Sequence, residues 1–261
     1  MRGGNTNHSG AALATSVSLR VANRQNTIRP RRSLIEPMRP TAETHATLEV
    51  PQVAYPAPVG GALKRALDVA IALLVLLLLG PLMGLIAVGI RLSMGGPVIF
   101  RQERIGFNGY TFVCFKFRSM VQNADDILRE HLAHEPSAAR EWQETQKLRH
   151  DPRVSFFGNL LRKSSLDELP QLFNVLRGEM SCVGPRPIVK AELGRYGSHA
   201  RTCFRARPGI TGMWQTNGRN RLSYAERVAL DHYYVSHWSF RLDMLLLLKT
   251  IPAVLRVDNT S

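Results

Sequence analysis

Apolar positions are spread unevenly along the 261 residues, and their spacing divides the chain into three parts. Residues 1–60 show no hydrophobic period of either helix or strand. An uncharged apolar run of 22 residues follows, Val69 to Ile90, broken near its middle by Gly80-Pro81. As helix it would extend ~33 Å, enough for a hydrocarbon core of ~30 Å. One reading is a single spanning helix, since proline kinks are tolerated in membranes. The other is a helix-break-helix over residues 61–92 that dips into the bilayer and returns. Pro81 lacks an amide donor and clashes with the carbonyl four residues back, and Gly80 eases the bend. Lys64 and Arg65 on one flank and Arg91 on the other favour the cytoplasmic side for both ends, so the re-entrant reading is preferred. A secretory signal is excluded, because sixty residues precede the run and no small-residue cleavage pattern closes it.

Past the run the pattern alternates. Pro97 to Glu103 and Tyr110 to Arg118 are rich in β-branched and aromatic residues, and Asn108-Gly109 between them favours a tight turn with positive φ, so a β-hairpin is predicted. Lys116 and Arg118 would share one face of its second strand, with Val113, Phe115 and Phe117 turned inward. A charged exposed helix is predicted from Asn123 to Arg149, interrupted near Pro136. Further helices are predicted at Leu169–Arg177, Ile188–Tyr196, Ser223–Trp238 and Leu242–Leu255. Pro/Gly loops at Gly184-Pro185-Arg186-Pro187 and Arg207-Pro208-Gly209-Ile210-Thr211-Gly212 separate them. The last helix, preceded by Tyr233, Tyr234 and Trp238, reads either as an element at headgroup level or as an ordinary core helix. The fold class is α+β and mainly helical: a re-entrant membrane helix, then a compact cytosolic domain of residues 93–261 with a small β-hairpin.

Composition refines the two ends. Residues 1–60 hold seven arginines against three glutamates, a net of +4, and six prolines, which reads as a disordered basic tail. The whole chain carries +14, so +10 belongs to the rest. A surplus of that size suits nucleic acid, anionic lipid or phosphorylated substrates. Neither a groove-reading helix nor a zinc module is found, so nucleic acid is not an expected partner. Cys114, Cys182 and Cys203 have no disulfide or metal spacing and read as reduced thiols. His131 and His134 form an HxxH pair without an evident third ligand, better explained by an exposed helix than by a metal.

The segment Arg162-Lys163-Ser164-Ser165-Leu166-Asp167-Glu168-Leu169-Pro170-Gln171 carries the chemistry. Its plain reading is a helix start: Pro170 is comfortable only in a first turn, and acids there oppose the helix dipole favourably. Its functional reading is a carboxylate pair where backbone amides attract phosphate. One carboxylate can attack phosphorus while its neighbour holds Mg²⁺. Arg162, Lys163, Arg186 and Arg207 would clamp the remaining charge. A membrane-tethered basic scaffold would explain charge and anchor but would leave Asp167 and Glu168 idle.

The ordered series Lys64-Arg65-x-x-Asp68, the apolar run, Gly96-Pro97-Val98-Ile99-Phe100-Arg101-Gln102, Lys116-Phe117-Arg118-Ser119-Met120, Leu166 to Gln171, Gly184-Pro185-Arg186-Pro187 and Arg207 to Gln215 resembles the bacterial sugar transferases. These are the monotopic polyprenyl-phosphate phosphoglycosyl transferases. The resemblance covers about residues 62–257 and is strongest toward the rhizobial, exopolysaccharide-initiating branch that transfers galactosyl phosphate. It implies that Asp167 attacks the sugar-bearing phosphate of a UDP-sugar, expels UMP and passes the phosphosugar to undecaprenyl phosphate. Galactose is favoured and glucose is next. It further implies that Glu168 positions Mg²⁺ and that Lys116, Arg118, Arg162, Arg186 and Arg207 bind phosphate. Lys64, Arg65, Gly80 and Pro81 would belong to a re-entrant anchor in the bacterial inner membrane, open to the cytoplasmic face, with other polysaccharide-assembly proteins as further partners. The chain departs from the family in having Gly80-Pro81 where many members have Ser-Pro. It also has a tail in place of the spanning helices that precede the catalytic part of larger members.

Overall fold

The computed structural model describes residues 50, 52–145, 148, 150–218 and 221–255. Up to position 49, the tail expected over residues 1–60 lies outside the described residues. The end of that stretch is docked on the body. Val53 and Val59 donate main-chain hydrogen bonds to the carbonyls of Asn108 and Arg205, and Tyr55 exchanges two bonds with the Asn108 side chain.

Helix α1 spans Gly61–Met94 and runs through Gly80-Pro81 without interruption. The expected break between two arms is therefore not present as a gap in the helix. Pro81 removes one amide donor, but an apolar segment offers its other backbone groups no partner outside the helix, so the hydrogen-bond ladder continues on both sides. Its buried residues form a stripe, with Lys64, Asp68 and Ala72 before Pro81 and Met83, Ile86 and Ile90 after it. Spacings of three and four within each half put them on one face, so both halves rest on the same body. The other face exposes Leu73, Leu74, Leu77, Leu78, Leu82, Leu85, Val88 and Leu92. In water these eight, 38–81% exposed, would forgo roughly 8–15 kcal/mol, from ~1.5–3 for each fully buried side chain, as much as the ~5–15 kcal/mol that holds a typical domain folded. Only 11% of the most apolar stretch of α1 is buried. It is not the core helix of a water-soluble body.

The basic flank of α1 is not directed at headgroups. Lys64 is buried in an ion pair with Asp243, at 2.6 Å, and Asp243 also accepts from the Tyr234 hydroxyl and the Trp238 indole. Arg65 donates to the carbonyls of Val175 and Leu176. Asp68 accepts from the Ser181 hydroxyl and the Cys182 amide, both at 2.9 Å. These three residues fasten α1 to the body, because charges on a buried face must find partners there.

Strands β1 (Ile99–Ile105) and β2 (Thr111–Phe117) pair antiparallel as the expected hairpin. Asn108 and Gly109 in its connection have φ of 58° and 81°, the positive pair their residue types favour. The facing of β2 differs from expectation: Val113 is exposed, and Cys114 is buried with Phe112 packed nearby. Phe117 packs on the opposite side with Ile90 and Leu161. Both faces of the strand are covered, each at a different end, so simple alternation fails.

The charged helix predicted from Asn123 appears as α2 (Ala124–His134) and α3 (Pro136–Thr145). Next come α4 (Phe156–Lys163), α5 (Gln171–Arg177) and β3 (Ser181–Val183). The helix expected over Ile188–Tyr196 appears as a 3-10 turn, Lys190–Glu192, running into the short α6 (Leu193–Tyr196), and another short helix, α7 (His199–Cys203), follows it. Strand β4 (Gly209–Thr211) pairs parallel with β3. The described chain closes with α8 (Met213–Asn217), α9 (Tyr224–Ser236) and α10 (Phe240–Leu255). The main core gathers Leu172, Val175, Met180, Val183, Tyr234 and Leu246 under the first half of α1. A second, with Met83, Ile86, Phe117 and Leu161, lies under its other half. Between these cores the chain sets its carboxylate pair.

Candidate active site

The site is built where α4 meets the end of β2. Ser155 caps α4 by accepting from the Gly158 amide. Gly158 lies so close to the Ser119 carbonyl that an added Cβ would sit 1.9 Å from its oxygen. That approach lets Arg162, one turn on, donate from Nε to the Ser119 hydroxyl at 2.8 Å. After α4 the chain reverses at Ser165, a non-glycine residue with φ of 57°, a conformation that costs about 1–3 kcal/mol and tends to collect at functional sites. A single 3-10 turn, Leu166–Glu168, then leads through Pro170 into α5. The expected helix start is thus divided: Ser165 heads the turn and α5 proper begins at Gln171. The amides of Glu168 and Leu169 are bonded to the carbonyls of Ser165 and Leu166, so these two do not serve an anion as the sequence reading supposed.

The reversal puts Asp167 and Glu168 on the wall of an open cleft of about 960 Å³, together with Lys116, Arg118, Arg162 and Arg104. Lys116 Nζ lies 2.6 Å from Glu168 Oε1. Two adjacent carboxylates are thereby driven apart in acidity. Burial, and then the charge of Glu168, push Asp167 up to about 6, against the pull of Lys116 and Arg162. Burial also works to raise Glu168, but its ion pair with Lys116, followed by Arg186 and Arg104, holds it below the usual carboxylate range. Arg162 faces Asp167, and burial lowers its own pKa.

The predicted phosphate ligands separate into three groups. Lys116, Arg118 and Arg162 line the cleft with the carboxylates. Arg186 lies in an adjoining cavity of about 80 Å³ that shares Glu168, Lys116 and Arg104 with it. Its guanidinium stands 5.7 Å over the Trp214 ring, and its amide donates to the buried Asp231, which also accepts from the Tyr196 hydroxyl. Arg207 is elsewhere. Its Nε donates to the Gly178 carbonyl at 2.7 Å, beside Arg65 on Val175 and Leu176. Both arginines therefore occupy carbonyls at the C-terminal end of α5, where cations are favoured, and Arg207 is withdrawn from the site.

Several cleft residues escaped the sequence reading. Arg104 is the main one: it donates to the Pro187 carbonyl and to Gln102 Oε1, and it touches both cavities. The hairpin register carried its signal, since Phe100 lies opposite Lys116 and Arg104 opposite Phe112, one strand face running through all four. Arg153, Thr211, Trp214 and Gln215 also line the cleft. The last three come from the Pro/Gly loop motif that had been credited to Arg207. His131 and His134 sit on α2, away from the cleft lining, and the described residues hold no cluster of three or more metal-ligating side chains. The three cysteines are buried free thiols, and burial pushes Cys182 up to about 12, so it is no nucleophile at neutral pH.

Beside the long apolar helix, a carboxylate pair shares its clefts with Lys116 and several guanidinium groups, an arrangement suited to anionic groups. The model of the bacterial sugar transferase family matches residues 59–257, and the chain belongs to that family. It is 52% identical over 197 residues to the exopolysaccharide production protein ExoY of Sinorhizobium fredii, spanning 76% of this chain and 87% of that protein. It is 46% identical over 197 residues to the undecaprenyl-phosphate galactose phosphotransferase of Salmonella typhimurium, 76% of this chain and 41% of the relative. With the undecaprenyl-phosphate glucose phosphotransferase of Komagataeibacter xylinus it shares 43% identity over 203 residues, 72% of this chain and 35% of the relative.

Proposed function

We propose that the protein transfers a hexose 1-phosphate, galactose ahead of glucose, from a UDP-sugar to undecaprenyl phosphate and releases UMP. The reaction would open the membrane stage of exopolysaccharide synthesis at the cytoplasmic face of the inner membrane. The observation that carries this reading is the carboxylate pair on the cleft wall: Asp167 shares the cleft with Lys116, Arg118 and Arg162, and Glu168 is ion-paired with Lys116 at 2.6 Å, so that Asp167 is raised to about 6 and Glu168 held low. Neighbouring carboxylates pushed apart in acidity mark two different roles. At neutral pH Asp167 is ionised yet more basic than an ordinary aspartate, which suits a nucleophile. The names of the relatives, one a galactose and one a glucose phosphotransferase on undecaprenyl phosphate, support the substrate classes.

In the first half-reaction a carboxylate oxygen of Asp167 bonds to the sugar-bearing phosphorus, and the bond to the UMP oxygen breaks. UMP leaves with the electron pair, and no proton need move. In the second, a phosphate oxygen of the acceptor attacks the same phosphorus and the Asp167 ester bond breaks, which regenerates the carboxylate. Lys116, Arg118 and Arg162 offset the charge on the transferred group, and Arg186 and Arg104 reach it from behind Glu168. Mg²⁺ fits the donor set, because it is usually held by one or two carboxylates with water and substrate phosphate completing the shell. Glu168, with Asp167 beside it, would hold it. When bound it would neutralise diphosphate oxygens.

The topology we infer is monotopic. Both halves of α1 rest on one body, the outer face is leucine-rich, and both ends would then remain on the cytoplasmic side. Incubating the purified protein with a panel of UDP-sugars, with and without undecaprenyl phosphate, tests the function. UMP should appear with UDP-galactose or UDP-glucose, and lipid-linked sugar only when the acceptor is added. Absence of UMP with every donor in the complete mixture would refute it.

A further inference from the structure

The motif Gly96-Pro97-Val98-Ile99-Phe100-Arg101 has no part in the chemistry above, yet it forms a second concavity. Pro97, Val98, Ile99, Phe100, Arg101 and Arg118 line an open groove of about 470 Å³. Pro97, Phe100 and Arg118 also line the catalytic cleft, so the two are continuous. The groove begins where α1 ends. Val98 and Ile99 pack against the cluster that holds Met83, Ile86 and Ile90 of that helix, and Leu92, 81% exposed, is the last large residue of its apolar face. Phe100, 46% exposed, stands at the junction of groove and cleft.

The lining is of two kinds. Four residues are apolar and the other two are arginines, so its charged side chains are all donors. A nucleotide base needs donors and acceptors together, and amide and hydroxyl side chains such as Gln122, Gln215, Thr211 and Thr250 occur in the cleft lining instead. A hydrocarbon chain ending in a single phosphate matches the groove: apolar contact along Val98, Ile99 and Phe100, with Arg118, which lines both groove and cleft, for the anion and Arg101 at the groove alone. Arg118 already gives one nitrogen to the Gly95 carbonyl at 3.3 Å, which fixes its direction without using its remaining donors.

We propose that this groove is the acceptor subsite. The polyprenyl phosphate would slide from the outer face of α1 over Val98 and Ile99, with Arg101 guiding its phosphate past Phe100 to Arg118 and on to the phosphorus held by Asp167. The donor enters the cleft away from this end. This assignment rests on the transferase reading above, and the two half-reactions allow the two to be tested apart.

Arg101 lines the groove and not the cleft, so Arg101→Glu separates them. In detergent, UMP released without acceptor should match wild type in amplitude. The KM for undecaprenyl phosphate should rise at least tenfold, the KM for the UDP-sugar should stay within twofold, and Arg101→Lys should restore most of the loss. An unchanged acceptor KM in Arg101→Glu refutes the groove. So does a proportional loss of the UMP amplitude, which would place Arg101 in the donor step or the fold. If the variant instead leaves phosphatidylglycerol vesicles in a flotation assay while its acceptor KM in detergent is normal, Arg101 serves membrane headgroups and the assignment also falls. Wild-type protein yielding neither UMP nor lipid product would refute the transferase reading itself.

Discussion

Replacing Asp167 by Asn should abolish the reaction and stabilise the protein. In the folded state the carboxylate is raised to about 6 from an ordinary 3.8, by burial first and by Glu168 second. The folded form therefore binds the proton more tightly than the unfolded chain does. Below about pH 4 both states are protonated and the group costs nothing. As pH rises from 4 to 6 the unfolded chain ionises first and native stability falls, and above 6 the full cost is present. That rise, from 3.8 to about 6, corresponds to about 3 kcal/mol at pH 8, and to about half of that at pH 5. Asn keeps the shape without the charge, so Asp167→Asn should recover this amount. For a chain of this size that is roughly 6–12 °C in Tm, measurable in detergent by the intrinsic fluorescence of Trp142, Trp214 and Trp238. The gain should be larger at pH 8 than at pH 5, and UMP release by the wild type should fall off below about pH 6. A variant no more stable than wild type at pH 8, or equally stabilised at both pH values, would refute the account of the buried charge.

Arg186→Lys keeps the charge but loses the planar fork over Trp214; turnover should fall on the order of tenfold, the ~1.5 kcal/mol of one charge-assisted bond, and an unchanged kcat/KM would remove Arg186 from the site. Arg207→Met should lower Tm through the lost bond to Gly178 while the KM for the UDP-sugar stays within twofold, and a large rise in KM would return Arg207 to phosphate binding. Cysteines at Ala57 and Ser93, both exposed at the two ends of α1, should resist a membrane-impermeant thiol reagent in intact cells whose Cys114, Cys182 and Cys203 have been replaced; labelling at one of them would mean a spanning helix.

What could be read in the sequence was local. Asn108-Gly109 announced the hairpin because positive φ is a property of those two residue types. Asp167-Glu168 before Pro170 announced a turn leading into a helix because such starts are written in neighbouring residues, and the structure puts both carboxylates on a cleft wall. What failed depended on distant partners. Lys64 and Arg65 read only as a positive flank of the apolar run, whereas Lys64 is paired with Asp243, 179 residues away, which local sequence could not show. Arg207 shares a motif with Ile210, Thr211, Trp214 and Gln215, and these line the cleft while Arg207 does not. Arg104 was missed because its face is defined by pairing with β2, and β2 itself defied simple alternation. The break at Gly80-Pro81 was inferred from the cost of proline; α1 carries Pro81 inside a continuous helix, and its buried stripe on both sides of Pro81 could be seen only with the body in place.

The central claim is a phosphosugar carried on Asp167, and the intact mass of the protein tests it most directly. After incubation with UDP-galactose and Mg²⁺ in the absence of undecaprenyl phosphate, the mass should increase by one hexose phosphate. Peptide mapping should put the adduct on Asp167, equimolar UMP should accompany it, and adding undecaprenyl phosphate should discharge it. No adduct, with UMP appearing only when both substrates are present, would contradict the covalent mechanism and assign Asp167 a different role.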